Sequence, residues 1–291
     1  MTRSLSLVAT LLVLAVSQVQ GIDTSNWTKP FPPFKIAGNL YYVGSKDLAS
    51  YLVTTPQGNI LINSSLEDSV PLIGASLEKL GYHWSDVKIL LISHAHWDHC
   101  AGSAAIKKLS GAQYMVMEQD VKAVENGGSW HTRLGHNEIP QYPPVKVDRV
   151  LQDGDQVTLG GSVLTAHLTP GHTPGCTTWT MDVREGDRDL HAVIIGSPNV
   201  NEGYVLVNNK DYPGIATDYQ TTFRVLKALP VDLFLGAHGA YFDMTSKYER
   251  MQKGEKDVFV DPVGYQRYVA DREQAFVTEW EKQKAAAGGK P

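Results

Sequence analysis

Four side chains able to hold a metal ion fall within six residues, at His94, His96, Asp98 and His99 of the stretch His94-Ala95-His96-Trp97-Asp98-His99. They follow directly on the apolar run Val87-Lys88-Ile89-Leu90-Leu91-Ile92, which reads as a buried strand. A strand that ends in such a cluster delivers its ligands to one edge of a sheet, where the chain can turn back over the ion. His94 and His96 are two apart, so in extended backbone both rings point the same way. Asp98 and His99 fall where the chain must turn, and they can face a second ion beside the first. Imidazole with carboxylate suits zinc, a borderline ion that takes nitrogen and oxygen donors in tetrahedral or five-coordinate sites. A polar loop with unrelated histidines would explain the residue types, but not their place after a strand or the matching histidines downstream.

Ten histidines are present, and five end strands or directly follow them: 94, 96, 99, 172 and 238. His172 lies in Thr169-Pro170-Gly171-His172-Thr173-Pro174-Gly175 and His238 in Gly236-Ala237-His238-Gly239. Small, turn-forming neighbours give a metal-bound ring room in both places, so both are read as ligands. His83, His131, His136, His167 and His191 lack that setting, and His167 and His191 fall within expected strands.

The elements that must position these residues follow from hydrophobic periodicity. Strands are expected at Ala37 to Val43, Tyr51 to Thr55 and Ile60 to Asn63, forming a meander with turn chemistry at Pro56-Gln57-Gly58-Asn59. Val70 to Leu80 reads as a helix closed by Gly81. Short helices at Ser103 to Leu109 and Glu118 to Val124 flank a strand at Gln113 to Met117. The proline- and glycine-rich stretch Asn126 to Val145 is read as a wall of the site, because long irregular segments inside compact domains are usually functional. Further strands are expected at Arg149–Leu151, Gln156–Leu159, Val163–Leu168, Thr177–Val183, Leu190–Ile195 and Leu233–Leu235, with helices at Thr217–Leu229 and Pro262–Lys284. Residues 22–35 read as an irregular arm over the surface. Blocks of strands alternating with helices in both halves predict an α/β four-layer αββα sandwich, two mixed sheets inside and helices on the outer faces.

Composition narrows the function classes. Apolar content of 42% with 20% charged residues fits a soluble globular protein rather than a disordered or membrane one. The net charge of −5 with no basic run gives no footprint for nucleic acid. Two cysteines exclude a disulfide-rich scaffold. Cys100 and Cys176 flank expected ligands and are read as buried thiols, with a disulfide between the halves or an alternative ligand role left open. Residues 1–21 read as a secretory signal, with Arg3 before the apolar run Leu5 to Val16 and small residues at Ala15, Ser17 and Gly21. An exported mature chain from about Ile22 is expected, with no stable membrane anchor. Residues 22–291 are read as one domain of two similar halves, roughly 36–148 and 149–291, acting as a monomer.

The motifs at 94–99, 169–175 and 236–239 together resemble the metallo-β-lactamase superfamily, over nearly the whole mature chain. The third subclass of true metallo-β-lactamases, which has no cysteine ligand, is the best match. Tyr142 to Asp148 and the run Gly196-Ser197 to Tyr204 also resemble it. The resemblance implies two zinc ions per chain, the first on His94, His96 and His172 and the second on Asp98, His99 and His238. It also implies a β-lactam substrate, Ser197 and Asn199 as donors to that substrate's carboxylate, and a periplasmic location. Thioesterase, lactonase and phosphodiesterase members bridge their metals with an aspartate after a glycine at a strand end; here that position is Ser197. Other lactamase subclasses place a cysteine ligand there.

Three neutral imidazoles leave the first zinc its full charge and an open position, which brings a bound water to a pKa of about 7. The resulting hydroxide, oriented by Asp98, can attack a strained amide with no protein nucleophile and no acyl-enzyme. A second zinc can receive the charge that develops on the leaving nitrogen. Two alternatives stand beside this reading. A thioester or lactone hydrolase on the same fold would show itself by turnover of acylated glutathione. A non-catalytic zinc-binding envelope protein would bind metal tightly and turn nothing over.

Overall fold

The computed structural model describes residues 24–129 and 141–288. The expected export signal, His131 and His136 lie outside those residues. The first sheet holds seven strands in sequence order: β1 (Phe34–Ala37), β2 (Leu40–Tyr42), β3 (Tyr51–Thr55), β4 (Gly58–Ile62), β5 (Val87–Leu91), β6 (Gln113–Met117) and β7 (Arg149–Leu151). β1 to β4 form an antiparallel meander, and β4 to β7 run parallel. The second sheet holds β8 (Gln156–Leu159), β9 (Ser162–Leu168), β10 (Thr177–Glu185), β11 (Arg188–Ile195) and β12 (Leu233–Gly236), in spatial order from β12 back to β8. Only the β11–β12 pair in it is parallel.

Alternation along the strands builds the layers. Tyr51, Val53, Ile60, Ile62, Ile89, Leu91, Met115 and Met117 of the first sheet share a core with Leu164, Ala166, Trp179, Met181 and Val183 of the second. The intervening residues Leu52, Leu61, Leu90, Tyr114 and Val116 point the other way. They pack under α1 (Val70–Lys79), α3 (Ser103–Ser110) and α4 (Glu118–Glu125), with the single-turn α2 (Trp97–Cys100) at the strand ends. On the second sheet, Val193, Ile195 and Phe234 meet α5 (Ile215–Ala228) and α7 (Pro262–Gly288) through Phe223, Leu226, Val269 and Phe276. The αββα sandwich expected from the sequence is the observed fold.

Several local expectations are corrected. The single strand at Ala37 to Val43 is a hairpin, because Gly38-Asn39 turns the chain between β1 and β2. β10 and β11 extend past the expected strand ends at Val183 and Leu190, pairing as far as Glu185 with Arg188. β7 pairs with β6, so the first sheet runs on through Leu151. The helix α6 (Met244–Gln252) was not expected; its buried Lys247 forms an ion pair of 2.7 Å with Asp261, which also caps the start of α7. α6 has a mostly polar surface, so its periodicity gives a weak signal.

The two sheets are tied together behind the site. Trp179 is fully buried, and its indole N–H donates to the carbonyl of Ile92 at 3.0 Å, just before the histidine cluster. Beside it, the Thr177 N–H donates to the carbonyl of Ser93 at 2.7 Å. Trp179→Phe would strand the Ile92 carbonyl and leave a gap in the core. It is expected to cost about 1–3 kcal/mol from the unpaired carbonyl, before any cavity is counted. Urea unfolding should show a lower midpoint with an unchanged slope, and an unchanged midpoint would refute the role of this bond.

Candidate metal centre

All six residues singled out as ligands lie just beyond strand ends, four on loops and two in a single helical turn, and the structure brings them together. His94 and His96 follow β5; His96 is extended and opens α2, whose single turn carries Asp98 and His99. His172 follows β9, and His238 follows β12. Gly171 precedes His172 with φ of +126°, and a Cβ there would meet the Tyr219 ring at 2.8 Å.

The side chains converge in two adjoining groups. His96 Nδ1 lies 3.1 Å from His172 Nε2, and the His94 ring stands nearly perpendicular to both, at 4.9 and 4.7 Å between centroids. In the second group Asp98 Oδ2 lies 3.1 Å from His99 Nε2 and 3.4 Å from His238 Nε2, and the two imidazole nitrogens are 3.2 Å apart. His94 borders both groups, since ligand atoms of His94, Asp98 and His99 also fall within 4.8 Å of one another.

A further layer of hydrogen bonds fixes which nitrogens face inward. His172 Nδ1 donates to the carbonyl of Asn199 at 2.8 Å, and His238 Nδ1 donates to Asp47 Oδ2 at 3.0 Å. Each ring's Nε2 is thereby left as a lone pair in the neutral form. His94 Nδ1 pairs with Ser93 Oγ at 3.1 Å, while His94 Nε2 is buried with no hydrogen-bond partner. Converging lone pairs, with the buried and unpaired His94 Nε2 among them, are the donor chemistry a divalent cation requires.

Electrostatics agree. Burial, reinforced by the neighbouring histidines, pushes His94 well below the usual imidazole range. Burial also pushes His172 down to about 4, against the pull of the Asn199 carbonyl. Both rings are therefore neutral near pH 7, the form that ligates metal. Burial lowers His99 despite its Asp98 neighbour. Burial alone would raise Asp98, but His99 and His238 outweigh it and hold the carboxyl well below its usual range. At His238 burial is outweighed by Asp47 and Asp98, which raise it to about 9. The two carboxylates thus favour positive charge at that end of the site.

Ser197 and Asn199 also border the cluster, although Ser197 is only 1% exposed. Both engage Tyr241: Asn199 Nδ2 donates to the phenol oxygen at 2.8 Å, and Ser197 Oγ lies 3.2 Å from it. The Tyr241 ring packs against His238 at 5.0 Å. Sequence reading missed Tyr241, Asp47 and Asp120, a buried carboxylate on α4. None belongs to a motif, and their only sequence signal is a position close to a strand or ligand. It also underrated Trp27. That residue packs on Trp97 at 5.3 Å and on His238 at 5.7 Å, so the N-terminal arm borders the site instead of merely covering the surface. The described flanks of the 126–145 segment do reach the site's backbone, with Tyr142 Oη donating to the carbonyl of Ala95 at 2.7 Å. Cys100 and Cys176 are buried free thiols. Burial raises both, Cys176 to about 12, which makes them inert. His83, His167 and His191 stand apart; His167 pairs with Thr180 and His191 with Asp182.

Among solved structures, the native FEZ-1 metallo-beta-lactamase from Legionella gormanii is 53% identical, over 88% of this chain and 98% of that one, with a TM-score of 0.85. A class B3 di-zinc metallo-beta-lactamase, LRA-12 from an Alaskan soil metagenome, is 35% identical over 89% and 98%, with a TM-score of 0.83. Among curated proteins, a cytoplasmic hydroxyacylglutathione hydrolase of Arabidopsis thaliana is 31% identical over 54% of this chain and 50% of its own length. The chain spans about half the length of the first curated relatives it matches. The model of the Metallo-beta-lactamase superfamily matches residues 48–238, from the segment beside Asp47 through the last of the clustered histidines. On that match, this chain belongs to the metallo-β-lactamase superfamily.

Proposed function

We propose that this chain is a zinc-dependent hydrolase of the β-lactam amide bond. His94, His96 and His172 hold one zinc ion, and Asp98, His99 and His238 hold a second. The two adjoining donor groups support this count, as does the likeness to a di-zinc class B3 enzyme. Zinc on these donors supplies a Lewis acid and a water acidified to a pKa of about 7.

The chain's own residues do the rest. Asp98, the one carboxylate of the six, orients the attacking water by accepting its hydrogen bond. His94 and His172 stay neutral and so keep their lone pairs for the metal. Tyr204 stacks beside His172 at 5.9 Å, Trp27 covers His238, and together they limit water around the reacting bond. When the Tyr241 phenol accepts from Asn199 and donates to Ser197 Oγ, the serine proton is left for an outside acceptor, the carboxylate of a bicyclic β-lactam.

The observation that carries the choice of substrate is position 197. In thioesterase and lactonase relatives, the resemblance assigns that position to a metal-bridging aspartate. Here the Ser197 hydroxyl pairs with Tyr241 and the Asn199 N–H, and with none of the six site side chains. The likeness to hydroxyacylglutathione hydrolases favours a second reading, thioester hydrolysis. We further take residues 1–21 as an export signal and the mature chain as a periplasmic monomer.

Purified protein should hydrolyse a penicillin, a cephalosporin or a carbapenem, lose that activity on chelation and regain it with zinc. Activity that survives exhaustive chelation would sink the mechanism. Faster turnover of an acylated glutathione than of every β-lactam would favour the thioesterase reading. Ser197→Ala should keep both zincs and raise KM more than it lowers kcat, since a donor to a remote carboxylate serves ground and transition states alike. The loss of one charge-assisted bond, about 1.5–3 kcal/mol, corresponds to roughly ten- to a hundredfold in kcat/KM. Loss of a zinc in this variant would show instead that Ser197 serves the metal. Asp47→Ala should weaken the second zinc by about ten- to a hundredfold while leaving the first in place. Zinc titration of the metal-free variant measures both steps, and two unaltered affinities would rule out the Asp47 contact as a support of His238.

A further inference from the structure

The loops carrying His96 and His172 come from different sheets, β5 in the first and β9 in the second. Nevertheless their ring nitrogens meet at 3.1 Å. One buried side chain joins the two loops directly. Asp120, in the first turn of α4 and 0% exposed, accepts three hydrogen bonds. Its Oδ2 takes the N–H of Ala95 at 2.9 Å, the residue between His94 and His96. The same oxygen takes the Thr173 hydroxyl at 2.8 Å, next to His172, and Oδ1 takes the N–H of Gly175 at 2.8 Å. Gly175 is required for that approach, because a Cβ there would lie 2.6–2.7 Å from the Asp120 N, Cβ and Cγ atoms.

We propose that Asp120 is a positioning residue for the metal centre. Its carboxylate clamps the His94/His96 loop to the His172 loop and so sets the separation of the first-site ligands before any ion arrives. Two backbone N–H groups on opposite oxygens make a carboxylate specific here. An asparagine can turn its carbonyl oxygen to Ala95 or to Gly175, and either choice points its NH₂ group at the other N–H. Neither backbone donor can rotate away, so Asp120→Asn keeps the shape but breaks one side of the clamp. Residues that orient ligands from behind are worth about ten- to a hundredfold in metal affinity.

This inference rests on the metal reading of the site but not on any substrate. Its test is zinc affinity, measured by competition with a chromophoric chelator, alongside the melting temperature of the metal-free protein. Asp120→Asn should bind zinc about ten- to a hundredfold more weakly than the parent. Thr173→Val, which removes one of the three bonds at nearly constant volume, should weaken it less, and Thr173→Ser should match the parent. If Asp120→Asn fails to fold, the Thr173 pair decides alone. Variants that melt lower yet hold zinc as tightly as the parent would overturn the proposal, since that is the signature of a residue supporting only the fold. A parent that takes up no zinc would overturn the metal reading and this inference with it.

Discussion

The rest of the structure depends on holding several ring nitrogens and a carboxylate oxygen a little over 3 Å apart in a place from which water is largely excluded. Polar groups crowded this way do not assemble unaided, since each loses hydration and their lone pairs face one another. The chain meets that constraint from outside the cluster. Each of His94, His172 and His238 has its other nitrogen engaged, by Ser93, the Asn199 carbonyl and Asp47 respectively. These partners choose the tautomer and the ring plane together, so the inward-facing atoms are set by contacts on the far side of each ring.

The sandwich supplies the rigidity for those contacts. Strand ends are the firmest places to mount a loop, because backbone ladders fix them on one side and core packing fixes them on both faces. The segments carrying the cluster come from β5, β9 and β12, the last two in one sheet and the first in the other. A slip between the sheets would therefore pull the site apart. Trp179 to Ile92, Thr177 to Ser93 and Tyr51 to the Gly236 carbonyl each cross that boundary close to a clustered histidine. The register of the two sheets and the spacing of the clustered side chains are consequently one quantity.

The clustered residues were legible in the sequence because metal-type chemistry restricts residue type and strand geometry restricts spacing; His94, His96, Asp98 and His99 satisfy both within six residues. His172 and His238 were legible through the glycines and prolines that make room for a ring. The layer architecture followed from alternation and helical period, which report burial on one face. What stayed hidden depends on tertiary approach. Asp47 reads as one more loop carboxylate until β12 brings His238 to within 3.0 Å of it. Asp120 reads as an ordinary acidic residue in the first turn of a short helix. Tyr241 and Trp27 are aromatic residues without a pattern around them, and only folding places them against His238. The β1–β2 hairpin escaped because both strands are short and their apolar residues run together across a two-residue turn.

The same logic extends to the far end of the chain. Gln283, near the end of α7, accepts the N–H of Leu206 at 2.7 Å and donates to the carbonyl of Tyr204 at 2.8 Å, imitating a strand partner with one side-chain amide. Tyr204 in turn donates its hydroxyl to the carbonyl of His172 at 2.7 Å and stacks on its ring. Asn199, whose carbonyl orients His172, also accepts from the Tyr219 hydroxyl of α5 at 2.7 Å. The loop between β11 and α5 is thus pinned to two helices of the second sheet and grips His172 by its ring and by its main chain. Because this loop also carries Ser197 and Asn199, the contacts that orient His172 and the contacts that place these two side chains beside Tyr241 belong to one segment. A change in one alters the other, so the last helix, far from the cluster in sequence, helps define its geometry.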